Sequence, residues 1–170
     1  LMTHVLASHF PAVLPNATYA TYIRCHDDIG WAVTDEDARA VGLNGPLHRS
    51  FLSDFYEGGF PGSFAEGALF QVNPETGDKR ISGTFASLAG LERAEAAGDG
   101  AGVDRGIDRI LMGHALIASF GGIPLVYMGD EIGLLNDHAY AADADHAHDS
   151  RWIHRPRMDW DRAAEAETGV

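Results

Sequence analysis

The sequence predicts an α/β fold, and three segments carry that prediction. Residues 18–23 are rich in branched and aromatic side chains, which favour a β-strand because they fit a half-buried pleated surface. Residues 103–119 carry apolar side chains at helical spacing, with Asp104 placed to cap the helix and Gly121 to end it. Residues 123–128 form a short apolar run, typical of a buried parallel strand. A strand, a long helix and a second strand in this order indicate repeated β–α units.

Shorter elements are expected around these units. The turn-forming residues 73–78 should join two short strands around Phe70 and Ile81. Residues 92–102 are rich in alanine, glycine and acids and predict a surface loop. The other expected pieces are one N-terminal helix, two short helices and a polar tail, at residues 1–10, 35–41, 48–56 and 161–170.

Polar side chains follow both predicted strands. His26, Asp27 and Asp28 come after the first strand, and Asp130 and Glu131 come after the second. Barrel enzymes place their chemistry just past the carboxyl ends of strands. Because successive side chains of an extended backbone point to opposite sides, one aspartate of the first group can face a pocket while the other faces a neighbouring loop.

Composition narrows the class of protein. The chain has 170 residues and a net charge of −13, from 25 acidic and 12 basic residues. This charge argues against nucleic acid, whose binding depends on lysine and arginine, and is compatible with a neutral substrate such as a sugar. No apolar run approaches the roughly 20 residues of a membrane helix. Cys25 is the only cysteine, which excludes an internal disulfide and favours a cytoplasmic location.

Several motifs, in order, resemble one family. Residues 24–31, Arg-Cys-His-Asp-Asp-Ile-Gly-Trp, resemble the seventh barrel strand of amylosucrases, which are transglycosylating members of glycoside hydrolase family 13 in the α-amylase superfamily. Residues 122–131, Gly-Ile-Pro-Leu-Val-Tyr-Met-Gly-Asp-Glu, are similar to the eighth strand of that superfamily. Residues 150–157, Ser-Arg-Trp-Ile-His-Arg-Pro-Arg, resemble the amylosucrase stretch that follows it. Shorter matches lie at residues 62–64, 70–74 and 80–83.

The resemblance implies a fold and a division into domains. The chain would be the C-terminal portion of a (β/α)8 TIM barrel, containing its seventh and eighth strands, with a subdomain inserted after the seventh strand. Residues 1–29 and 92–160 would belong to the partial barrel, and residues 30–91 to the inserted subdomain on the acceptor side. We therefore expect the chain to be a fragment of a longer protein, whose missing N-terminal half would complete the barrel.

The resemblance also implies a reaction. Amylosucrases transfer the glucosyl unit of sucrose to a growing α-1,4-glucan and release fructose. Retaining enzymes of this kind use a carboxylate nucleophile and an acid/base. In the superfamily these come from the fourth and fifth strands, which lie outside this chain, so the chain alone is expected to be inactive. Asp27 would be the third carboxylate, which stabilises the transition state.

Further residues acquire roles by the same resemblance. His26 would donate to a hydroxyl of the bound glucosyl unit, and Asp28 and Arg80 would lie on the fructosyl or acceptor side. Arg151 would close the pocket by pairing with an aspartate of the missing half. The path of the glucan acceptor would be lined by Arg49, Gln71 and Asn73. No cofactor, metal, nucleic acid or membrane is expected; the partners would be sucrose, the α-glucan acceptor and the missing half.

Other functions stay open at this point. A sucrose hydrolase, or another glucosidase of the superfamily, would pass the glucosyl unit to water instead. A metal-dependent phosphohydrolase would use His26 and Asp27 with the histidines and aspartates of residues 143–149. A non-catalytic remnant would bind glucan or nothing. Residues 92–102 and 137–149 depart from the family pattern, and both are interpreted as loop variation.

Overall fold

The computed structural model describes residues 1–10 and 15–168 of the chain. Helices take 48% of the described part and strands 9%, so helices dominate the architecture. The helices are α1 (Met2–His9), α2 (Asp35–Ala40), α3 (Gly45–Glu57), α4 (Phe85–Leu88), α5 (Leu91–Ala96), α6 (Gly100–Ser119) and α7 (Trp160–Thr168). The strands are β1 (Ala20–Thr21), β2 (Ala68–Val72), β3 (Lys79–Ser82) and β4 (Ile123–Pro124). Three 3-10 helices span Asp130–Ile132, His138–Ala142 and Ser150–His154.

The predicted portion of a (β/α)8 barrel is wrong for this chain. The described residues form two sheets of two strands each, β1 with β4 in parallel and β2 with β3 antiparallel. The two expected strands, at 18–23 and 123–128, do pair in parallel, but over only two residues each. In this parallel pair, each strand has one neighbouring strand and an unpaired outer edge. A two-stranded sheet is marginally stable without further strands or a covering layer.

The second expected strand is also exposed where burial was predicted. Ile123, Leu125, Val126 and Met128 are each 47–56% exposed. The α6 helix follows the same pattern, since Leu111 is 62% exposed and lies on the predicted apolar face. An apolar face is buried only when a second layer packs on it, and the described residues supply no such layer here.

The hairpin of β2 and β3 confirms the turn predicted at residues 73–78. Asn73 Oδ1 accepts hydrogen bonds from the amides of Glu75 and Thr76, which is the usual role of asparagine in a tight turn. A bulge between Phe70 and Val72 shifts the strand register. This places Gln71 in the left-handed backbone region, with φ at 47°.

The buried core lies where β3, α4, α5 and the last 3-10 helix meet. Ile81 is fully buried, and Leu88, Leu91, Ala94 and Ile153 are at most 8% exposed. The surface loop predicted at residues 92–102 is wrong, because α5 occupies residues 92–96 and buries one face in this core, and α6 begins at Gly100. The expected tail is likewise helical over Trp160–Thr168.

The N-terminal helix is confirmed at Met2–His9. The sequence predicts that Pro11 and Pro15 end this helix, and Pro11 lies outside the described residues. The two short helices predicted in the middle of the chain are confirmed as α2 and α3. Among the described residues, no helix is long and apolar enough to cross a membrane.

Candidate functional site

A buried ion pair holds the segment before the acidic loop of residues 26–28. Arg24 donates from Nε to Asp130 Oδ1 at 2.9 Å, and the two side chains are 1% and 2% exposed. Arg24 Nη1 also donates to the carbonyl of His154 at 2.9 Å, and the guanidinium lies over the Tyr127 ring. Burial raises the pKa of Asp130, and the charge of Arg24 opposes that rise. The pair fixes the start of the acidic loop against the segment that follows β4.

His154 holds the acidic loop from the other side. The amide of Gly83 donates to its Nδ1 at 3.0 Å, so that nitrogen carries no proton, and Nε2 lies 3.1 Å from the carbonyl of His26. This arrangement requires the neutral imidazole with its proton on Nε2. Burial lowers the pKa of His154 to about 4, so the imidazole is neutral near neutral pH. Arg155 Nε donates to the same His26 carbonyl at 2.8 Å.

Asp27 lies in a chain of charges with Arg151 and Asp149. Arg151 donates from Nη1 to Asp27 Oδ1 at 2.7 Å and from Nη2 to Asp149 Oδ2 at 2.8 Å. The hydrogen bond from Arg151 lowers the pKa of Asp27 to about 2, and the same guanidinium lowers the pKa of Asp149 to about 2. Both carboxylates raise the pKa of Arg151. Asp27 is therefore ionised throughout the neutral range.

Asp28 is engaged separately from its neighbour. Its carboxylate is 5% exposed and accepts a hydrogen bond from Arg80 Nη1 at 3.1 Å. Asp27, by contrast, is 51% exposed at its side chain. The two adjacent carboxylates thus have different arginine partners, as an alternating backbone predicts.

A pocket of about 1020 Å³ brings four of the expected residues together. Arg49 from α3, Gln71 and Asn73 from the hairpin and Arg80 from β3 all line it. Because Arg80 also pairs with Asp28, the acidic loop adjoins this pocket. The expected acceptor residues therefore share one cavity with Arg80, which is expected on the fructosyl or acceptor side.

Acidic partners fix Arg49 within this pocket. It donates from Nε to Asp78 Oδ1 at 2.9 Å and from Nη1 to Asp35 Oδ1 at 2.7 Å and to the carbonyl of Val33 at 2.9 Å. The hydrogen bonds that Arg49 donates to Asp78 and Asp35 raise the pKa of Arg49. The side chain is a preordered donor group on the pocket wall.

The structure places two of the predicted site residues, His26 and Arg151, differently from what the resemblance implies. The side chain of His26 is exposed, and the contacts of this residue with His154 and Arg155 run through its backbone carbonyl. Arg151 finds its partners within the chain, at Asp27 and Asp149, and its pairing with an aspartate of another segment stays a prediction.

Sequence reasoning missed three residues that shape the site: Asp78, Asp149 and His154. A signal existed for Asp149, because its Oδ1 accepts the Arg151 amide at the start of a 3-10 helix, a common role for aspartate before a helical turn. No local signal marks His154, since its partners lie far away in the sequence. Asp78 contacts Thr76 within the predicted turn, but its partner in the pocket, Arg49, lies 29 positions away.

Two tryptophans near the site, Trp31 and Trp152, pack against other side chains of the protein. Trp31 donates from Nε1 to Ser53 Oγ at 2.8 Å and stacks on Tyr56. Trp152 stacks on His146 with ring centres 3.7 Å apart. Among the described residues, the histidines and aspartates of the 143–149 segment do not converge with His26 or Asp27 on one metal-binding position. No family model matches the chain.

Proposed function

We propose that this chain provides the transition-state carboxylate and the acceptor pocket of a sucrose-cleaving retaining α-glucosyltransferase that builds α-1,4-glucan. The observation that supports this most is the geometry at Asp27. Arg151 and the Asp28 amide both donate to its Oδ1, at 2.7 and 3.1 Å, while half of its side chain stays exposed. The second oxygen, Oδ2, is thereby left to accept hydroxyl groups of a sugar.

An ionised carboxylate in this position suits glycosyl transfer. Positive charge develops on the sugar ring in the transition state of retaining enzymes. A carboxylate that is already oriented and charged stabilises that charge without reorganising during the reaction. The low pKa of Asp27, held down by Arg151, keeps it in the ionised form that this role needs.

The adjoining pocket suits an oligosaccharide acceptor. Its volume of about 1020 Å³ lies at the upper end of ordinary ligand pockets. Arginine and amide side chains on its wall offer many donors for hydroxyl groups. Asn73 Oδ1 accepts hydrogen bonds from amides of the turn, so the Nδ2 of that side chain is left as a further donor. A neutral polyol is compatible with the acidic surface, which disfavours phosphorylated ligands.

The nucleophile and the acid/base would be residues outside this chain, as the resemblance to amylosucrases implies. A partner surface must then cover the exposed apolar side chains of α6 and of the segment after it. Large contiguous apolar patches on a protein surface mark sites of interaction. The exposed large apolar residues of these two segments are Ile107, Leu111, Met112, Leu116, Ile123, Leu125, Val126 and Met128.

The test is a sucrose assay on the intact polypeptide that carries this sequence. Fructose release with a matching amount of α-1,4-glucan would support the transferase. Fructose with an equal amount of free glucose would instead identify a sucrose hydrolase. Absence of fructose release from the intact polypeptide would refute both.

A non-catalytic glucan-binding role is the second candidate, because the pocket is built entirely by residues 30–80 of this chain. Titration of the 170-residue chain with maltoheptaose measures this directly. Two results together would support this second role. The chain would bind maltoheptaose more weakly after Arg49→Gln, and the intact polypeptide would show no sucrose turnover. Glu95→Gln, on an exposed side of α5, is the matched control.

A further inference from the structure

Two glutamates and a histidine converge on the side of the molecule formed by α5 and the second 3-10 helix. One carboxylate oxygen of Glu66, one of Glu92 and one ring nitrogen of His138 all lie within 4.8 Å of one another. We propose that these three residues form a binding site for a divalent transition-metal ion, with zinc as the best match. This site is independent of the proposed glycosyl transfer.

The state of Glu92 is the first argument. Its side chain is 13% exposed, and its Oε1 lies 2.6 Å from His138 Nε2. Its other oxygen, Oε2, is buried and has no hydrogen-bond partner among the described residues. A buried carboxylate oxygen without a partner is costly, because burial removes its hydrogen bonds to water and nothing replaces them. A cation held between the three side chains would remove that cost.

The charge balance is the second argument. Glu66 and Glu92 place two carboxylates close together, and among the described residues neither forms an ion pair with a lysine or arginine. Like charges at this separation repel each other unless a proton or a cation lies between them. Among the described residues, the exposed His138 lies 2.6 Å from Glu92, and it neutralises that carboxylate only when the imidazole is protonated.

A buried hydrogen-bond network around Asn136 holds together the segments that carry Glu66 and His138. Asn136 donates from Nδ2 to the carbonyl of Glu66 at 2.7 Å, and its amide donates to Ser87 Oγ at 3.0 Å. Its Oδ1 accepts the amide of Thr84 at 2.9 Å. Asn136 thus ties the segment before His138 to the Glu66 loop and to α4. Supporting shells of this kind orient metal ligands.

The ligand chemistry selects the metal. An imidazole nitrogen with two carboxylates suits zinc and neighbouring first-row ions and disfavours calcium and magnesium, which take oxygen ligands. Tetrahedral zinc holds such atoms at about 2.0–2.2 Å, which places them about 3.4 Å apart. The three ligand atoms now lie within 4.8 Å of one another, and metal binding would set their final spacing. A water molecule would complete the coordination.

The sequence adds an independent observation. Glu92 opens the acidic segment 92–102, and His138 lies in the histidine-rich segment 137–149. These are the two stretches that depart from the amylosucrase pattern, and the fold brings them together at this one position.

The test is titration of the metal-free 170-residue chain with Zn²⁺, read by calorimetry and by thermal unfolding. We expect one site per chain and a melting temperature about 5–10 °C higher at a hundredfold excess over Kd. His138→Ala and Glu92→Gln should each lower the affinity at least tenfold. His146→Ala and Glu95→Gln, which change another histidine and another α5 acid, should leave it unchanged.

Co²⁺ provides a second readout that folding defects do not imitate. Tetrahedral Co²⁺ gives visible absorption bands, which should appear in the wild-type chain and be absent in folded His138→Ala. Zinc binding that is equal in His138→Ala and in the wild type would overturn the site and identify adventitious binding to other histidines. A Kd for zinc above about 100 μM would also overturn the proposed site, because such a site would stay mostly empty at physiological metal concentrations.

Discussion

Arg151 donates from Nη1 to Asp27 Oδ1 at 2.7 Å, although the two residues lie 124 positions apart in the sequence. The same guanidinium is held by Asp149, two residues before it. Asp27 therefore receives an already oriented cation, which keeps it ionised and fixes one of its oxygens. This relationship links the loop after β1 to the last 3-10 helix and defines the candidate site.

Removal of that guanidinium should raise the pKa of Asp27. We expect Arg151→Ala to move it from about 2 toward the ordinary value near 3.9, because the hydrogen bond from Arg151 is the largest cause of the depression. Carboxyl NMR titration of the chain measures the shift. Arg105→Ala, which removes an exposed arginine paired with Asp99, should leave the pKa of Asp27 unchanged. An equal pKa in wild type and Arg151→Ala would contradict the assigned pair.

His154 should make the protein less stable in mild acid. Its pKa is about 4 in the folded state and about 6.5 when free, so the unfolded chain binds more protons between these values. The free energy of unfolding should therefore fall as the pH is lowered from about 6.5 to 4. Urea unfolding at several pH values measures this slope. His154→Gln should flatten it, and a slope equal to that of the wild type would show that other groups cause it.

The buried pair of Arg24 and Asp130 should be costly to break from one side. Asp130→Asn leaves an uncompensated charge on Arg24, for which the typical cost is about 3–5 kcal/mol of unfolding free energy. The double replacement Arg24→Met with Asp130→Leu should cost less, since no charge is then left buried. Urea unfolding of the three proteins tests this order. A double variant less stable than Asp130→Asn would contradict the explanation.

Arg80 should matter for the acceptor more than for sucrose. It lines the pocket and pairs with Asp28, which is 5% exposed. We expect Arg80→Ala to weaken maltoheptaose binding to the chain by about 10-fold or more, the typical effect of losing a charged hydrogen-bond partner. Arg80→Lys should recover part of it. Calorimetric titration measures both, and unchanged affinity in Arg80→Ala would remove this residue from the acceptor pocket.

Local patterns predicted local structure well in this chain. The turn at 73–78 and the helices α1, α2, α3 and α6 follow from apolar spacing and from turn and helix-ending residues, which act within a few positions. The cap predicted at Asp104 is wrong, because α6 begins at Gly100, after Asp99, and Asp104 lies inside the helix. The strands were less predictable, because the extent of pairing depends on neighbours far along the chain. The apolar run at residues 123–128 predicted burial, but the described residues supply no layer that covers it.

The site shows the same division between local and distant information. Asp28 and Arg80, both expected on one side, do lie together, and Arg49, Gln71 and Asn73 do share a pocket with Arg80. The pairing of Asp27 with Arg151 did not follow from spacing, since it depends on how the last 3-10 helix returns to the first loop. The cluster of Glu66, Glu92 and His138 joins three distant segments and carries no local signal.

The most direct test is fructose release from sucrose by the intact polypeptide and by its Asp27→Asn variant. Asparagine keeps the size of the side chain but removes the charge that would stabilise the transition state. We expect a loss of roughly 10²–10³ in kcat, the typical effect of removing one preorganised group. Asp108→Asn, an exposed change on α6, should retain full activity. An Asp27→Asn variant as active as the wild type would contradict the catalytic assignment of Asp27.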